Sequence, residues 1–157
     1  MEEATGDDLA DPKPPCALVV FVDQTECYWL RALKPGFRHC FVAVEHGAAW
    51  LICDSLKSHM ELTLLDPPGP FDLGKFYADQ GHRVLLGRTA LPVRRTGAPL
   101  APLTCVTIAK RLLGLRAPRV WTPWQLFRHL VNARPCGWRL VSTNAPAARL
   151  TPGGIKA

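Results

Sequence analysis

Cys105, His39 and Asp54 are of the types that thiol-based nucleophilic catalysis requires. A cysteine nucleophile needs a base to hold it as thiolate and to protonate the leaving group, and that base needs an orienting partner. Cys105 follows Thr104, a good N-cap residue, in the segment LTCVTIAKRLLGL. Val106, Ile108, Ala109, Leu112 and Leu113 recur there at helical spacing, and Gly114 marks the end. A thiol in the first turn of a helix feels the positive end of the dipole and the unsatisfied N–H groups, which favour the thiolate and can hold an oxyanion. His39 opens the strand RHCFVAVE (38–45) directly after a Pro-Gly-Phe-Arg turn, and Asp54 closes AWLICD (49–54). His46-Gly47-Ala48 joins the two as a hairpin. Antiparallel pairing sets the start of the first strand beside the end of the second, so His39 and Asp54 are expected to be neighbours, the carboxylate orienting the imidazole. Taken singly, a first-turn cysteine is commonly structural and a strand-end His or Asp commonly trims a surface. The combination is what points to chemistry.

The elements that must position these groups follow from local pattern. ALVVFV (17–22) is a continuous apolar, valine-rich run and reads as a buried strand. Thr25 can cap a short helix, ECYWLRAL, that ends at Lys34-Pro35-Gly36. HMELTLL (59–65) extends the meander, DPPGP (66–70) breaks it, FDLGKFYADQ reads as a helix and HRVLLG (82–87) as a strand. Pro92 to Pro102 is a basic loop rich in Pro and Gly. Thr122-Pro123 opens a second helix through WQLFRHLVNA, and GWRLVS (137–142) reads as a last short strand. The expected fold is α+β, an antiparallel meander sheet with packed helices. It occupies residues 16–143, between a disordered acidic arm (1–15) and a flexible tail (144–157).

The 157 residues amount to one domain, and 48% apolar content is enough for a core. No uncharged apolar run approaches the roughly 18 residues of a membrane span. The acidic N-terminus does not read as a secretory signal, so a cytoplasmic or virion-associated protein is expected. All 13 acidic residues lie at or before Asp79, whereas residues 80–157 hold 13 Lys/Arg and no Asp or Glu. The two parts carry −7 and +13. Either the fold intermixes them, or the basic part meets an anionic partner: nucleic acid, an anionic polymer or an acidic protein surface.

Cys16, Cys27, Cys40, Cys53, Cys105 and Cys136 include no CxxC pair and read as mostly buried and reduced. Cys40 is expected on the strand face opposite His39, in the core. His46, His59, His82 and His129 lack metal-ligand spacing, so neither a metal nor a cofactor is assigned. Trp29, Trp50, Trp121, Trp124 and Trp138 read as core and margin. Trp121 and Trp124 with Arg119 and Arg128 offer the alternative of a stacking surface for bases or sugar rings.

The stretch HCFVAVEHGAAWLICD resembles the His-strand/Asp-strand hairpin of papain-like folds, transglutaminases and arylamine acetyltransferases included. Because TCVTIAKRLLGL follows that hairpin, the order is similar to the circularly permuted papain-like group, which holds relatives of NlpC-type cell-wall peptidases and of lecithin:retinol acyltransferase. With LKPGFRHCFV and TPWQLFRHL the pattern also resembles small uncharacterised phage and prophage proteins, over roughly residues 17–132. The resemblance implies a thiol hydrolase or acyltransferase acting through a thioester on a peptide or acyl substrate, peptidoglycan peptides among them. Cys105 would be the nucleophile, His39 the base and Asp54 the orienter. Many relatives have His, Asn, Gln or Glu where this chain has Asp54. Papain's glutamine before the nucleophile has no clear counterpart, Gln24 being the nearest candidate. A second expectation is a non-catalytic virion or accessory protein that binds DNA or an acidic protein through residues 80–157.

Overall fold

The computed structural model describes residues 14–24, 28–55, 59–90, 104–133 and 137–142. The acidic arm up to residue 13, the Thr25 cap, Cys27, the basic loop, Cys136 and the tail from residue 144 lie outside the described residues, as does the Trp29 side chain.

β1 (Cys16–Val22) is the apolar run, and it is buried because it pairs on both sides. β2 (His39–His46), β3 (Ala49–Ser55) and β4 (Met60–Leu65) follow as an antiparallel meander. β5 (Arg83–Arg88) returns to the far side of β1, and the two-residue β6 (Arg139–Leu140) adds to it. The sheet order is β4-β3-β2-β1-β5-β6, antiparallel throughout. The architecture is therefore α+β, with the meander extended past its first strand by β5 and β6.

Alternation along β1 divides the core between two faces. Ala17, Val19 and Phe21, with Cys40 and Val42 of β2, pack under α2 (Cys105–Leu112) and α3 (Pro123–Asn132), through Val106, Ala109, Leu126 and Leu130. Leu18, Val20, Phe41 and Ala43 pack against α1 (Leu73–Asp79), through Leu73 and Ala78. Each helix begins where a side chain satisfies an otherwise orphaned amide. Asp72 Oδ1 accepts from the Lys75 N–H at 2.8 Å, Thr104 Oγ1 from Thr107 at 3.2 Å, and Thr122 Oγ1 from Gln125 at 3.2 Å. Gln125 Oε1 answers by accepting from the Thr122 N–H at 3.1 Å, a complete capping box with Pro123 in the first turn. Among the described residues ECYWLRAL appears as a 3-10 helix over Tyr28–Ala32, and Lys34-Pro35-Gly36 turns the chain soon after it.

Three contacts tie down β5 and its ends. Trp138 lies flat against Gly87 of β5, where a β-carbon would come within 2.3 Å of the indole. Pro15 O accepts from the Thr89 N–H at 3.1 Å, and Pro14 O from Arg88 Nη1 at 2.9 Å, so the start of β1 is tied to the end of β5.

Candidate active site

A turn delivers His39. The Phe37 N–H donates to Lys34 O at 3.0 Å, with Pro35 and Gly36 between them and Gly36 at φ 80°, the left-handed conformation that a type II turn demands. Asp23, just past β1, clamps this turn: it accepts from the Gly36 N–H at 2.7 Å and pairs with Arg38 at 3.2 Å. His39 then enters β2 opposite Val22.

The sheet forks beside it. β2 keeps pairing with β1 as far as Val22↔His39, and β3 keeps pairing with β4 as far as Ser55↔Met60. The ladder between β2 and β3 stops at Val42↔Cys53. Asp54 lies just beyond the fork on β3, and its Oδ1 is 2.6 Å from His39 Nε2, a charge-assisted distance. That contact leaves Nδ1 as the nitrogen for a second partner.

Cys105, at the start of α2, supplies that partner. Its thiol lies near the His39 side chain and the Cys40 thiol and backbone N–H, close enough for each to act on its charge. The Cys40 amide is available because β3 has left β2 by that point. Cys40 faces the α2 side of the sheet with Val42, whereas alternation turns His39 and Asp54 toward the other side. The sulfur meets both because it sits at the fork.

Electrostatics follow from this packing. Hydrogen bonding from Cys40 acts most strongly on Cys105, and with His39 it outweighs burial, taking the thiol down from 9.0 to about 5. Burial acts most strongly on His39 and opposes its charge. The hydrogen bonds to Asp54 and Cys105 overcome this and push the imidazole up to about 10. At neutral pH the pair is thiolate and imidazolium. The His39 and Asp54 side chains keep 16% and 27% exposure, so the pair is sheltered without being sealed.

The structure thus brings together the three residues singled out in the sequence and adds Cys40. Alternation correctly put Cys40 in the core, at 1% exposure, but that core-facing side is also the side on which Cys105 sits. Gln24 is exposed past the end of β1 and is not among the groups that hydrogen-bond Cys105 or His39. Two grooves lie elsewhere. One of about 820 Å³ is lined by Cys16, Trp50, Phe71 and Leu140, toward the end of β1 away from His39. The other, about 370 Å³, runs along α3 between Arg119, Arg128 and His129. Trp124 packs with Phe37 and Phe127 at a core margin, and Trp121 is 55% exposed with Lys110 Nζ 5.3 Å from its ring centre. No helix among the described residues is long and apolar enough to cross a membrane.

No family model, curated protein or solved structure matches the chain.

Proposed function

We propose that the chain is a cysteine-dependent hydrolase or acyltransferase of permuted papain-like architecture. The observation that carries this reading is the Cys105 thiol beside a His39 ring whose Nε2 is held by Asp54 at 2.6 Å. The Cys105 thiolate attacks the carbonyl carbon of an amide or ester. With Thr107 capped by Thr104 and the Ile108 N–H bonded to Thr104 O, the Cys105 and Val106 amides are the first-turn donors placed to receive the oxyanion. His39 gives its proton to the leaving nitrogen or oxygen, and a thioester forms on Cys105. The neutral imidazole then takes a proton from water, or from an acceptor alcohol or amine, which attacks the thioester and restores the thiolate. Asp54 holds the ring and favours its charged form throughout.

The substrate is an acyl or peptide group, with peptidoglycan stem peptides as the leading candidates; a cationic second half suits an anionic wall polymer. Turnover of amide and ester probes, with muropeptides in parallel, tests the reading. Loss of turnover in folded Cys105→Ser supports it. Unaltered turnover in that variant, or a Cys105 that resists iodoacetamide near neutral pH, sinks it.

One observation favours a second reading, a non-catalytic virion or accessory protein with a basic binding surface. The ion pairs Asp23–Arg38, His39–Asp54 and Lys75–Asp79 all lie in the acidic part of the chain. Arg111, Arg116, Arg119 and Arg128 enter none of them. Polyanion binding that weakens steeply with salt and survives Cys105→Ala would support this reading.

A further inference from the structure

Cys40 does more than pack. It is a buried thiol in the apolar cluster against which Cys105 packs, and the two thiols are close enough to act on each other's charge. Hydrogen bonding to Cys105, with burial, holds the Cys40 thiol well above its ordinary range, so it stays protonated beside an ionised neighbour. Cys53, the other buried cysteine among the described residues, is engaged elsewhere, its Sγ 3.4 Å from Met60 Sδ. One ionised sulfur at the fork thus has one protonated sulfur beside it, the partner that an oxidised Cys105 would meet.

We propose that Cys105 is a site of hydroperoxide modification and that Cys40 is its resolving cysteine. In the first step the Cys105 thiolate attacks the oxygen of ROOH that carries hydrogen. The O–O bond breaks, the alkoxide leaves and takes a proton from His39, and Cys105 becomes a sulfenic acid, oxidised by two electrons. In the second step the Cys40 sulfur attacks the Cys105 sulfur. The S–S bond forms, the S–O bond breaks, and the hydroxide departs with the Cys40 proton as water. A dithiol reductant returns both residues to thiols. Such a bridge protects Cys105 from the irreversible sulfinic state and silences the thiolate while it lasts. The proposal needs only a reactive thiolate above a second thiol and does not rest on the hydrolase reading.

The test exposes the full chain to a several-fold molar excess of hydrogen peroxide near neutral pH, then traps thiols with iodoacetamide under denaturing, non-reducing conditions for peptide mapping. A parallel sample contains dimedone. The expected product is a Cys40–Cys105 linked peptide that dithiothreitol reverses, with the other four cysteines alkylated. Folded Cys40→Ala should instead show a dimedone adduct on Cys105 that gives way, without dimedone, to a sulfinic acid dithiothreitol does not reverse. Wild-type Cys105 ending as sulfinic acid with Cys40 alkylated, linked to Cys27 or Cys136, or unreacted would overturn the proposal. If Cys40→Ala does not fold, the wild-type map alone decides. Turnover is read separately, on the dithiothreitol-reduced protein: a chain that links under peroxide but shows no turnover when reduced keeps this inference and removes the hydrolase, and one that turns over when reduced without linking under peroxide does the reverse.

Discussion

His39 Nε2 lies 2.6 Å from Asp54 Oδ1, although no ladder pairs the two residues. They meet across the place where β2 and β3 part, each still held by its outer neighbour, Val22 for His39 and Glu61 for Asp54. The ring is therefore held between strands that are each paired on their outer side, with the Lys34–Phe37 turn setting where it enters β2.

The charge state of the pair predicts a pH window. An unfolded Cys105 keeps its proton up to about 9.0 while the folded one loses it at about 5, so this thiol stabilises the fold increasingly as pH rises from about 5 to 9. An unfolded His39 loses its proton at 6.5 while the folded one keeps it to about 10, so its contribution is full below 6.5 and fades as pH rises toward 10. Between 6.5 and 9 the two slopes cancel. The pair's contribution to stability should rise from about 5 to 6.5, stay level to 9 and then fall. Urea denaturation of wild type and Cys105→Ser/His39→Ala across that range measures it as a difference. A difference that does not vary with pH would show that folding changes neither group's proton affinity.

Triad substitutions should be graded. Cys105→Ser abolishes turnover in a folded protein. His39→Ala raises the alkylation pKa of Cys105 and lowers turnover by about 10²–10⁴-fold. Asp54→Asn leaves the thiol reactive but slows turnover, because the imidazolium loses its electrostatic partner. Iodoacetamide rates against pH, with circular dichroism as the folding control, separate these outcomes. Equal loss of stability in all three variants, without a selective change in alkylation, would indicate a structural cluster.

Gly36→Ala tests the turn that delivers His39. At φ 80° a β-carbon is strained by about 1–2 kcal/mol, even though only the Arg83 side chain is near it. The expected result is a modest stability loss with slower Cys105 alkylation. Unchanged alkylation would show that the Asp23 clamp alone sets the ring.

Gly87→Ala should cost about 1–3 kcal/mol by overpacking, since its β-carbon would meet the Trp138 indole at 2.3–2.7 Å. A double-mutant cycle with Trp138→Leu, measured by urea denaturation, should show coupling between the sites. Additive losses would place the strain elsewhere.

Residues 1–15 carry five acids and one lysine. Deleting residues 1–13, which hold all of these charges and spare the Pro14 and Pro15 carbonyls, should tighten polyanion binding at low salt and leave the melting temperature nearly unchanged, by the electrostatics of a basic surface relieved of a competing acidic segment. Arg119→Ala with Arg128→Ala should weaken the same binding and flatten its salt dependence. Fluorescence anisotropy with a labelled oligonucleotide reads both.

Strands and helix starts were legible because each is announced locally: the apolar run of β1, the Gly47 turn between β2 and β3, and the caps Thr104 and Thr122. The His39–Asp54 contact was legible for the same reason, since hairpin register brings both ends together. The place of β5 beside β1 was not, because an apolar strand carries no label for its neighbour. Nor was the role of Cys40. Alternation assigns a side of the strand, but which helix covers that side depends on packing among residues more than sixty positions apart in the chain. The fork itself has no sequence mark: Asp54 and Ser55 look like the end of one strand whether they pair with β2, β4 or both.

That fork makes the reactivity of Cys105 a gauge of correct folding. Its sulfur draws on His39 from one side of β2 and on Cys40 from the other, two consecutive residues in fixed order. If β2 slipped by a single residue against β1, every side chain would change face and that order would be reversed beneath the helix. A chain with native-like strands in the wrong register would carry only an ordinary thiol. The fraction of molecules alkylated rapidly at mildly acid pH therefore counts those whose central strands have paired correctly, and it does so at one atom.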